Sequence, residues 1–191
     1  DYAAAGVPFD RTRHRRVEQD VAILRRVWRG EPVVEGALRI VEPLPVQPGG
    51  PEILAGALFP RSIQRAARYA DGLKGFSFGP SAEEVGRGFE LARKAWQDEG
   101  RPAPRLATGF WFALPGRDGD GRAQLDAYVA RYLNFMGPDA AANIGPTVRA
   151  TSARPLRDAL REMEDLGCDE VVLVPTTLDP DEVDRTADLI G

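Results

Sequence analysis

The repeated alternation of strand-like and helix-like segments is the feature that most constrains the fold of this chain. Four short apolar runs predict strands, and each is followed by a stretch with helical periodicity. The strands are predicted over Glu52–Ala55, Leu73–Phe78, Arg105–Leu114 and Glu170–Pro175. This order indicates an α/β fold with a parallel sheet, either an open doubly wound sheet or a segment of a (β/α)8 barrel. A complete barrel needs about 250 residues, so a chain of 191 residues is short by about four strands.

The helices are predicted from apolar spacing and from signals at their ends. They cover Arg11–Arg29, the residues after Pro60, the residues from Ser81 to Gly100, Arg122–Met136, Arg154–Leu166 and the residues after Asp179. Ser81 and Glu84 form the capping-box pattern of a helix start. In the last helix Val183, Ala187 and Ile190 are spaced by about one turn, so we expect them to face the core. Residues 137–152 are expected to be irregular.

A proline-rich connection separates the first helix from the first strand. Glu31–Gly50 contains four prolines and cannot form a long helix. We expect an extended segment with a short strand at Leu38–Val41. A connection of this length within one domain is typical of functional loops. It is therefore a candidate lid over a binding site.

The corner between the first predicted strand and its helix is the strongest candidate binding feature. Gly56, Ala57, Leu58 and Phe59 form a tight turn, and Pro60 then begins the helix, where its missing N–H costs little. Free backbone amides and the helix dipole favour an anion at such a corner. Two interpretations stay open: an ordinary connection between a strand and a helix, or a phosphate cradle for a nucleotide-like cofactor.

Composition bounds the remaining possibilities. The formal net charge of −4 gives no global electrostatic basis for binding nucleic acid or a membrane surface. No apolar run reaches the roughly 20 residues of a membrane-spanning helix. The single cysteine, Cys168, excludes an intramolecular disulfide and is typical of a reducing cytoplasm. With only one histidine in addition, no usual zinc or haem ligand set is available, and no metal is predicted.

Three segments carry a resemblance to a known family. They are DYAAAGVPFDRTRHRRVEQDVAILRRVWRGEPV at the start, LPVQPGGPEILAGALFPRSIQRAARYADGL around the corner and ALREMEDLGCDEVVLVPTT near the end. The first resembles the helix after the fourth barrel strand of the luciferase-like flavin-dependent oxidoreductases. The second is similar to their fifth strand and helix, and the third to their last helix–strand pair. Since the chain also begins with Asp1 rather than Met, we expect it to be the C-terminal part of such a barrel, forming a single domain over residues 1–191.

The resemblance implies a flavin or deazaflavin held at the carboxyl ends of the barrel strands. Gly56, Ala57, Leu58 and Phe59 would then contact its phosphate or ribityl chain, and Ser62 could add a hydroxyl donor. The sequence departs from the family pattern at two of these positions. Ala57 replaces the second glycine of the usual pair, and Phe59 replaces the usual serine before proline. Each change adds bulk and removes a donor or backbone freedom.

The substrate pocket would be lined by residues at the carboxyl ends of the next two strands, namely Phe76, Phe78, Thr108 and Trp111. Aromatic residues here alternate between two faces, so only some of them can face the inside of a barrel. No residue set typical of acid–base or nucleophilic catalysis is present, and no catalytic residue is predicted. For a flavin enzyme this is acceptable, because the cofactor supplies the redox chemistry.

Three functions remain open at this point. The first is a monooxygenase that uses reduced FMN and O2 on a small organic substrate, acting on paired donors. The second is a dehydrogenase or reductase that uses the deazaflavin coenzyme F420 on the same barrel. The third is a degenerate, non-catalytic barrel that binds a ligand or partner. A homodimer is expected in each case, because a half-barrel would leave strand edges and apolar helix faces uncovered.

Overall fold

The sheet is parallel throughout the described part of the chain. The structure is a computed structural model that describes residues 4–10, 12–116 and 120–190. Its strands are β1 (Leu54–Gly56), β2 (Gly72–Lys74), β3 (Arg105–Phe112) and β4 (Glu170–Pro175). They lie side by side in chain order, and each pair of neighbours is parallel. The predicted parallel α/β sheet is therefore confirmed.

Helices precede the sheet, connect its strands and follow it. They are α1 (Arg13–Trp28), α2 (Pro60–Ala66), α3 (Ala82–Asp98), α4 (Gly121–Tyr132), α5 (Pro138–Ile144), α6 (Ala153–Asp165) and α7 (Asp181–Ile190), with short 3-10 turns at Leu133–Met136 and Gly145–Thr147. The predicted first residue of the first helix, Arg11, lies outside the described residues. The helix ends predicted at Gly100 and Gly167 are confirmed, since both glycines adopt positive φ angles, +65° and +71°.

Two predicted segments differ in the structure. Residues 137–152 are not simply irregular, because α5 forms there after Gly137 turns the chain with a φ of +93°. Leu38–Val41 forms no strand, and the Leu38 side chain is 99% exposed. Among the described residues, no neighbouring strand forms hydrogen bonds with Leu38–Val41. Apolar residues alone do not turn such a segment into a strand. The second strand is also shorter than predicted, ending at Lys74, although the Gly75 and Ser77 amides still donate to β3.

The inward face of the last helix was predicted wrongly. Val183 and Ile190 are 60% and 50% exposed, and Ala187 is exposed as well. The buried residues of α7 are Glu182 and Thr186. The Glu182 carboxylate accepts hydrogen bonds from the backbone N–H of Leu114, at 2.7 Å, and from the side-chain amide of Gln124, at 3.2 Å. Buried polar partners, rather than apolar contacts, therefore decide which face of this helix turns inward.

The two faces of the sheet have different surroundings. Leu73 of β2, with Leu106, Phe110 and Phe112 of β3, packs into the main core beneath the helices. Residues of opposite parity, such as Arg105 and Trp111, lie on the other face. The first face is covered by α2, α3 and α6, whereas on the second face Trp111 packs against α4 near the carboxyl end of β3. The carboxyl ends of all four strands meet at one edge.

Candidate cofactor and substrate site

The corner Gly56–Phe59 lies at the carboxyl end of β1, immediately before α2. Gly56 borders open space, because a Cβ added there would meet no atom within 4 Å. Ala57 is buried, whereas Leu58 and Phe59 are 57% and 72% exposed. The Ser62 and Ile63 amides already donate to the Phe59 carbonyl, at 2.9 and 3.0 Å. An anion at this corner would therefore depend on the backbone near Gly56 more than on the first turn of the short α2.

An aromatic cluster lies at the carboxyl ends of β2 and β3. It contains Phe76, Phe78, Trp111, Tyr128 and Tyr132. The Phe78 and Trp111 ring centroids are 4.8 Å apart, and the two tyrosine rings stack at 5.7 Å. Burial raises the pKa of the Tyr128 hydroxyl, so it stays protonated at neutral pH. The half-buried rings of Phe76 and Phe78 therefore offer an apolar surface with the neutral Tyr128 hydroxyl nearby, while Trp111 is buried behind them.

Thr108 is not part of this cluster. It lies on the helix-facing side of β3, the same side as Phe110 and Phe112, whereas Trp111 lies on the opposite side. The structure therefore brings together Phe76, Phe78 and Trp111 of the predicted pocket, and it places Thr108 on the opposite face of β3 from Trp111, where Phe76 still borders the same cavity. Periodicity predicted that such a division must occur, but could not assign each residue to a face.

Thr108 instead lines a small cavity between the sheet and helices α2 and α3, which we call the β2–α3 cavity. Its volume is about 50 Å3, and its walls include Ala57, Ile63, Leu73, Gly75, Ser77, Glu84, Val85, Gly88 and Phe89. Thr108 is 1% exposed, and its Oγ1 has no hydrogen-bond partner among the residues that the structure describes. A buried hydroxyl without a partner is costly, so it indicates a group that completes the site. Ala57 and Leu58 also line this cavity, which places it beside the corner.

A hydrogen-bond relay supports one wall of the β2–α3 cavity. The Ser77 hydroxyl donates to the Glu84 carboxylate at 2.7 Å and accepts from the Ser81 N–H at 3.2 Å. Ser81 in turn accepts from the Glu84 N–H at 3.3 Å, which confirms the predicted helix cap. The capping-box pattern had accounted for Glu84 without suggesting any role in a cavity. No sequence pattern pointed to Ser77, because nothing but its position just after β2 distinguishes it.

A larger groove lies at the opposite end of the sheet. Its volume is about 880 Å3, and Glu52, Asp71, Arg101 and Arg105 line it at the amino ends of the strands. Most of its charges are paired: Arg25 bonds Asp71 at 2.8 Å, and Arg105 bonds Glu52 at 2.6 Å. Pro48–Gly50 also line this groove, so the end of the proline-rich connection lies away from the corner. This placement does not support a lid over the predicted site.

No helix in residues 4–10, 12–116 and 120–190 is long and apolar enough to cross a membrane. Within the same ranges, no three His, Cys, Asp or Glu side chains come together in a way that could hold a metal ion.

Comparison with known proteins adds a family and a fold. The family model described as luciferase-like monooxygenase matches residues 1–167. No curated protein matches the chain. Among solved structures, the monooxygenase RslO1 of Streptomyces bottropensis is similar, with 22% identity and a TM-score of 0.62 over 98% of this chain and 62% of its own.

Two other solved structures extend this likeness. An F420-dependent secondary alcohol dehydrogenase in complex with an F420-acetone adduct has 13% identity and a TM-score of 0.69, covering 100% of this chain and 65% of its own. EDTA monooxygenase (EmoA) from Chelativorans sp. BNC1 has 17% identity and a TM-score of 0.67, covering 98% and 61%. The chain thus spans less than two thirds of the length of these relatives, and its fold is that of a partial (β/α)8 barrel.

Proposed function

This chain belongs to the luciferase-like monooxygenase family, and we propose that it contributes the cofactor-binding carboxyl-terminal half of a flavin-dependent monooxygenase. The proposed reaction uses reduced FMN and O2 on a small organic substrate. The observation that carries the proposal is the family match over residues 1–167, combined with an open corner at the carboxyl end of β1. In barrels of this type, active sites lie at the carboxyl ends of the strands.

The residues at that end fit the parts of a flavin cofactor. Gly56 borders open space where an anionic end could approach the backbone, and Ser62 is half-buried in the next helical turn. We assign Gly56, Ala57, Leu58, Phe59 and Ser62 to this contact. The exposed side chains of Leu58 and Phe59 would cover the cofactor chain rather than donate hydrogen bonds to it.

The aromatic cluster is assigned to the ring of the cofactor and to the substrate. Phe76 and Phe78 are half-buried and lie nearly edge to face, which suits contact with another flat ring, and the buried Trp111 packs behind them. These side chains would exclude water from the reacting atoms, and the neutral Tyr128 hydroxyl could orient a polar substrate group. The bound flavin supplies the electrons for oxygen chemistry, which no side chain of the described residues can provide.

The second candidate is a dehydrogenase or reductase that uses coenzyme F420. One specific observation favours it: the solved structure with a TM-score of 0.69 is an F420-dependent secondary alcohol dehydrogenase. The same corner and the same aromatic cluster would hold this cofactor. The two proposals differ in whether O2 reacts at the cofactor, and nothing in the geometry of Gly56–Phe59 separates them.

Cofactor titration tests both proposals. FMN, reduced FMN and F420 are added separately to the full-length protein, and binding is followed by the visible spectrum and by fluorescence. Tight binding of reduced FMN with consumption of O2 supports the monooxygenase, whereas selective binding of F420 without it supports the dehydrogenase. If no cofactor binds, both proposals fail and the non-catalytic, ligand-binding alternative takes their place.

A pair of glycine variants tests the corner itself. We expect Gly56→Leu to weaken cofactor binding at least about tenfold, the equivalent of about 1.4 kcal/mol, because the side chain fills the open space. Gly116→Leu is the matched control, since a Cβ at Gly116 also meets no atom within 4 Å and neither glycine has a positive φ. Equal binding by the two variants would refute the assignment of the corner.

A further inference from the structure

The β2–α3 cavity has features of a binding site that the corner and the aromatic cluster do not explain. Thr108 Oγ1 is buried and has no partner within the described part of the chain, and it faces the space left by the missing side chain of Gly75. A Cβ added to Gly75 would lie 3.6 Å from this oxygen. The hydroxyl therefore borders a vacant volume rather than packed side chains.

The walls of the cavity restrict the chemistry of its guest. Ile63, Leu73, Val85 and Phe89 are buried core residues, so most of the surface is apolar and a charged guest would lose its hydration there. Glu84 adds a carboxylate, which repels phosphate and other anions. An anionic group therefore belongs outside this cavity, at the corner, and the guest inside it is neutral.

The polar groups define what that neutral guest must offer. The Glu84 carboxylate only accepts hydrogen bonds, whereas the Thr108 hydroxyl can donate or accept. A guest hydroxyl can donate to Glu84 and also pair with Thr108. The volume of about 50 Å3 corresponds to three or four water-sized atoms, since one water needs roughly 10–15 Å3 on this measure. One or two hydroxyl-bearing carbons fill this space.

We infer that the β2–α3 cavity binds the hydroxyl-bearing carbon chain of a ligand, held between Thr108 and Glu84. This inference rests in part on the proposed function, because the chain could be the polyol of the flavin or deazaflavin whose anionic end lies at the corner. It could equally belong to a separate hydroxylated substrate. Ala57 and Leu58 border both the corner and the cavity, so one ligand can reach both.

The first test uses the ligand-free protein. Thr108→Val removes the unpaired hydroxyl and keeps the branched shape of the side chain. If the hydroxyl serves a ligand, the thermal midpoint of the variant is equal to or above that of the wild type, because no internal hydrogen bond is lost. A lower midpoint would show that Thr108 is bonded within the protein, and the inference would be wrong.

The second test separates the cofactor from other sources of the hydroxyl. Riboflavin carries the polyol without phosphate, and lumiflavin carries the ring alone. If the cofactor polyol occupies the cavity, Thr108→Val weakens riboflavin binding by roughly three- to tenfold and leaves lumiflavin binding unchanged. Gly75→Ala should likewise weaken riboflavin binding and leave lumiflavin binding unchanged, since its added methyl fits without a clash but fills the space above Thr108. Gly116→Ala is the control and should change neither affinity.

The third test does not depend on flavin binding. Crystals of the full chain are soaked in 1,2-ethanediol or in 1-propanol, both small enough for the cavity, and density is sought between Thr108 Oγ1 and the Glu84 carboxylate. Ordered density for either compound in the wild type, and its loss in Gly75→Ala, supports the site even if no flavin binds. Water alone in the cavity at saturating 1,2-ethanediol and 1-propanol, or unchanged riboflavin affinity in Thr108→Val together with no soaked density, overturns it.

Discussion

Replacement of Glu182 tests whether a buried carboxylate holds the end of β3 against the last helix. Glu182 is fully buried on α7, and it accepts the Leu114 backbone N–H at 2.7 Å just beyond the end of β3. Its second oxygen accepts from Gln124 at 3.2 Å, so it also ties down the start of α4. Loss of the carboxylate should therefore loosen the connection that carries Tyr128.

The expected magnitude follows from the two donors. In Glu182→Leu the Leu114 N–H is left without an acceptor, which costs about 1–3 kcal/mol in the interior. Gln124 loses less, because it is only half-buried and Thr176 Oγ1 lies 3.4 Å away as another acceptor. Glu182→Gln keeps an acceptor for Leu114 and exchanges a charged bond for a neutral one, a loss of about 1 kcal/mol.

The stabilities of the wild type, Glu182→Gln and Glu182→Leu are measured by urea and thermal unfolding. We expect Glu182→Leu to be the least stable of the three. A loss of 2 kcal/mol should lower the thermal midpoint by roughly 4–8 °C in a chain of this size. The matched control is Glu83→Gln, which alters an exposed carboxylate of α3 paired with Arg87, and it should leave the midpoint unchanged. If Glu182→Leu is as stable as the wild type, Leu114 finds another acceptor and the reasoning from burial fails.

Three other changes test separate parts of the structure. Asp71→Asn should cost about 1–2 kcal/mol in urea unfolding, because Asp71 accepts both the Ile53 N–H at 2.9 Å and the Arg25 guanidinium at 2.8 Å, with partial exposure reducing the value. Gly79→Ala should destabilise the chain by about 1–3 kcal/mol, since the new Cβ would overlap the backbone carbonyl oxygen of Thr147 and the backbone must shift. Burial raises the pKa of the Cys168 thiol, so iodoacetamide should label it more slowly than a free cysteine at pH 8. As the folded state keeps that proton more firmly, the contribution of Cys168 to stability should also fall as the pH rises above the ordinary thiol pKa.

The strands and their order could be predicted from sequence because each carries a local signal. The apolar run of β4 and the aromatic run of β3 are both bounded by turn or helix signals, and both strands form where they were expected. The corner at Gly56 could be located for the same reason, since small residues and Pro60 mark it. Leu38–Val41 shows the limit of this reasoning, because an apolar run becomes a strand only where a neighbour completes its hydrogen bonds.

The face that a residue presents depends on partners distant in sequence, and this is where prediction failed. Counting apolar residues placed Val183 on the inner side of α7, because the method gives no weight to a carboxylate. Glu182 lies inside only because Leu114 and Gln124, more than fifty residues earlier, supply donors for it. Thr108 presents the same difficulty, since no local pattern shows that its hydroxyl would border a space left by Gly75.

The position of Phe76 decides whether the aromatic cluster and the β2–α3 cavity can serve one ligand. Trp111 and Thr108 lie on opposite faces of β3, so no group that stays on one side of the sheet can contact both. Phe76 follows the end of β2, where its ring meets Trp111 at 5.7 Å while the residue also lines the cavity. A ligand with a flat part and a flexible hydroxylated part could therefore pass around the end of β2 at Phe76, whereas a rigid ligand could occupy only one side. A flavin or deazaflavin combines a flat ring with a flexible polyol chain, as this path around Phe76 requires. The cavity therefore supports the proposed cofactor class.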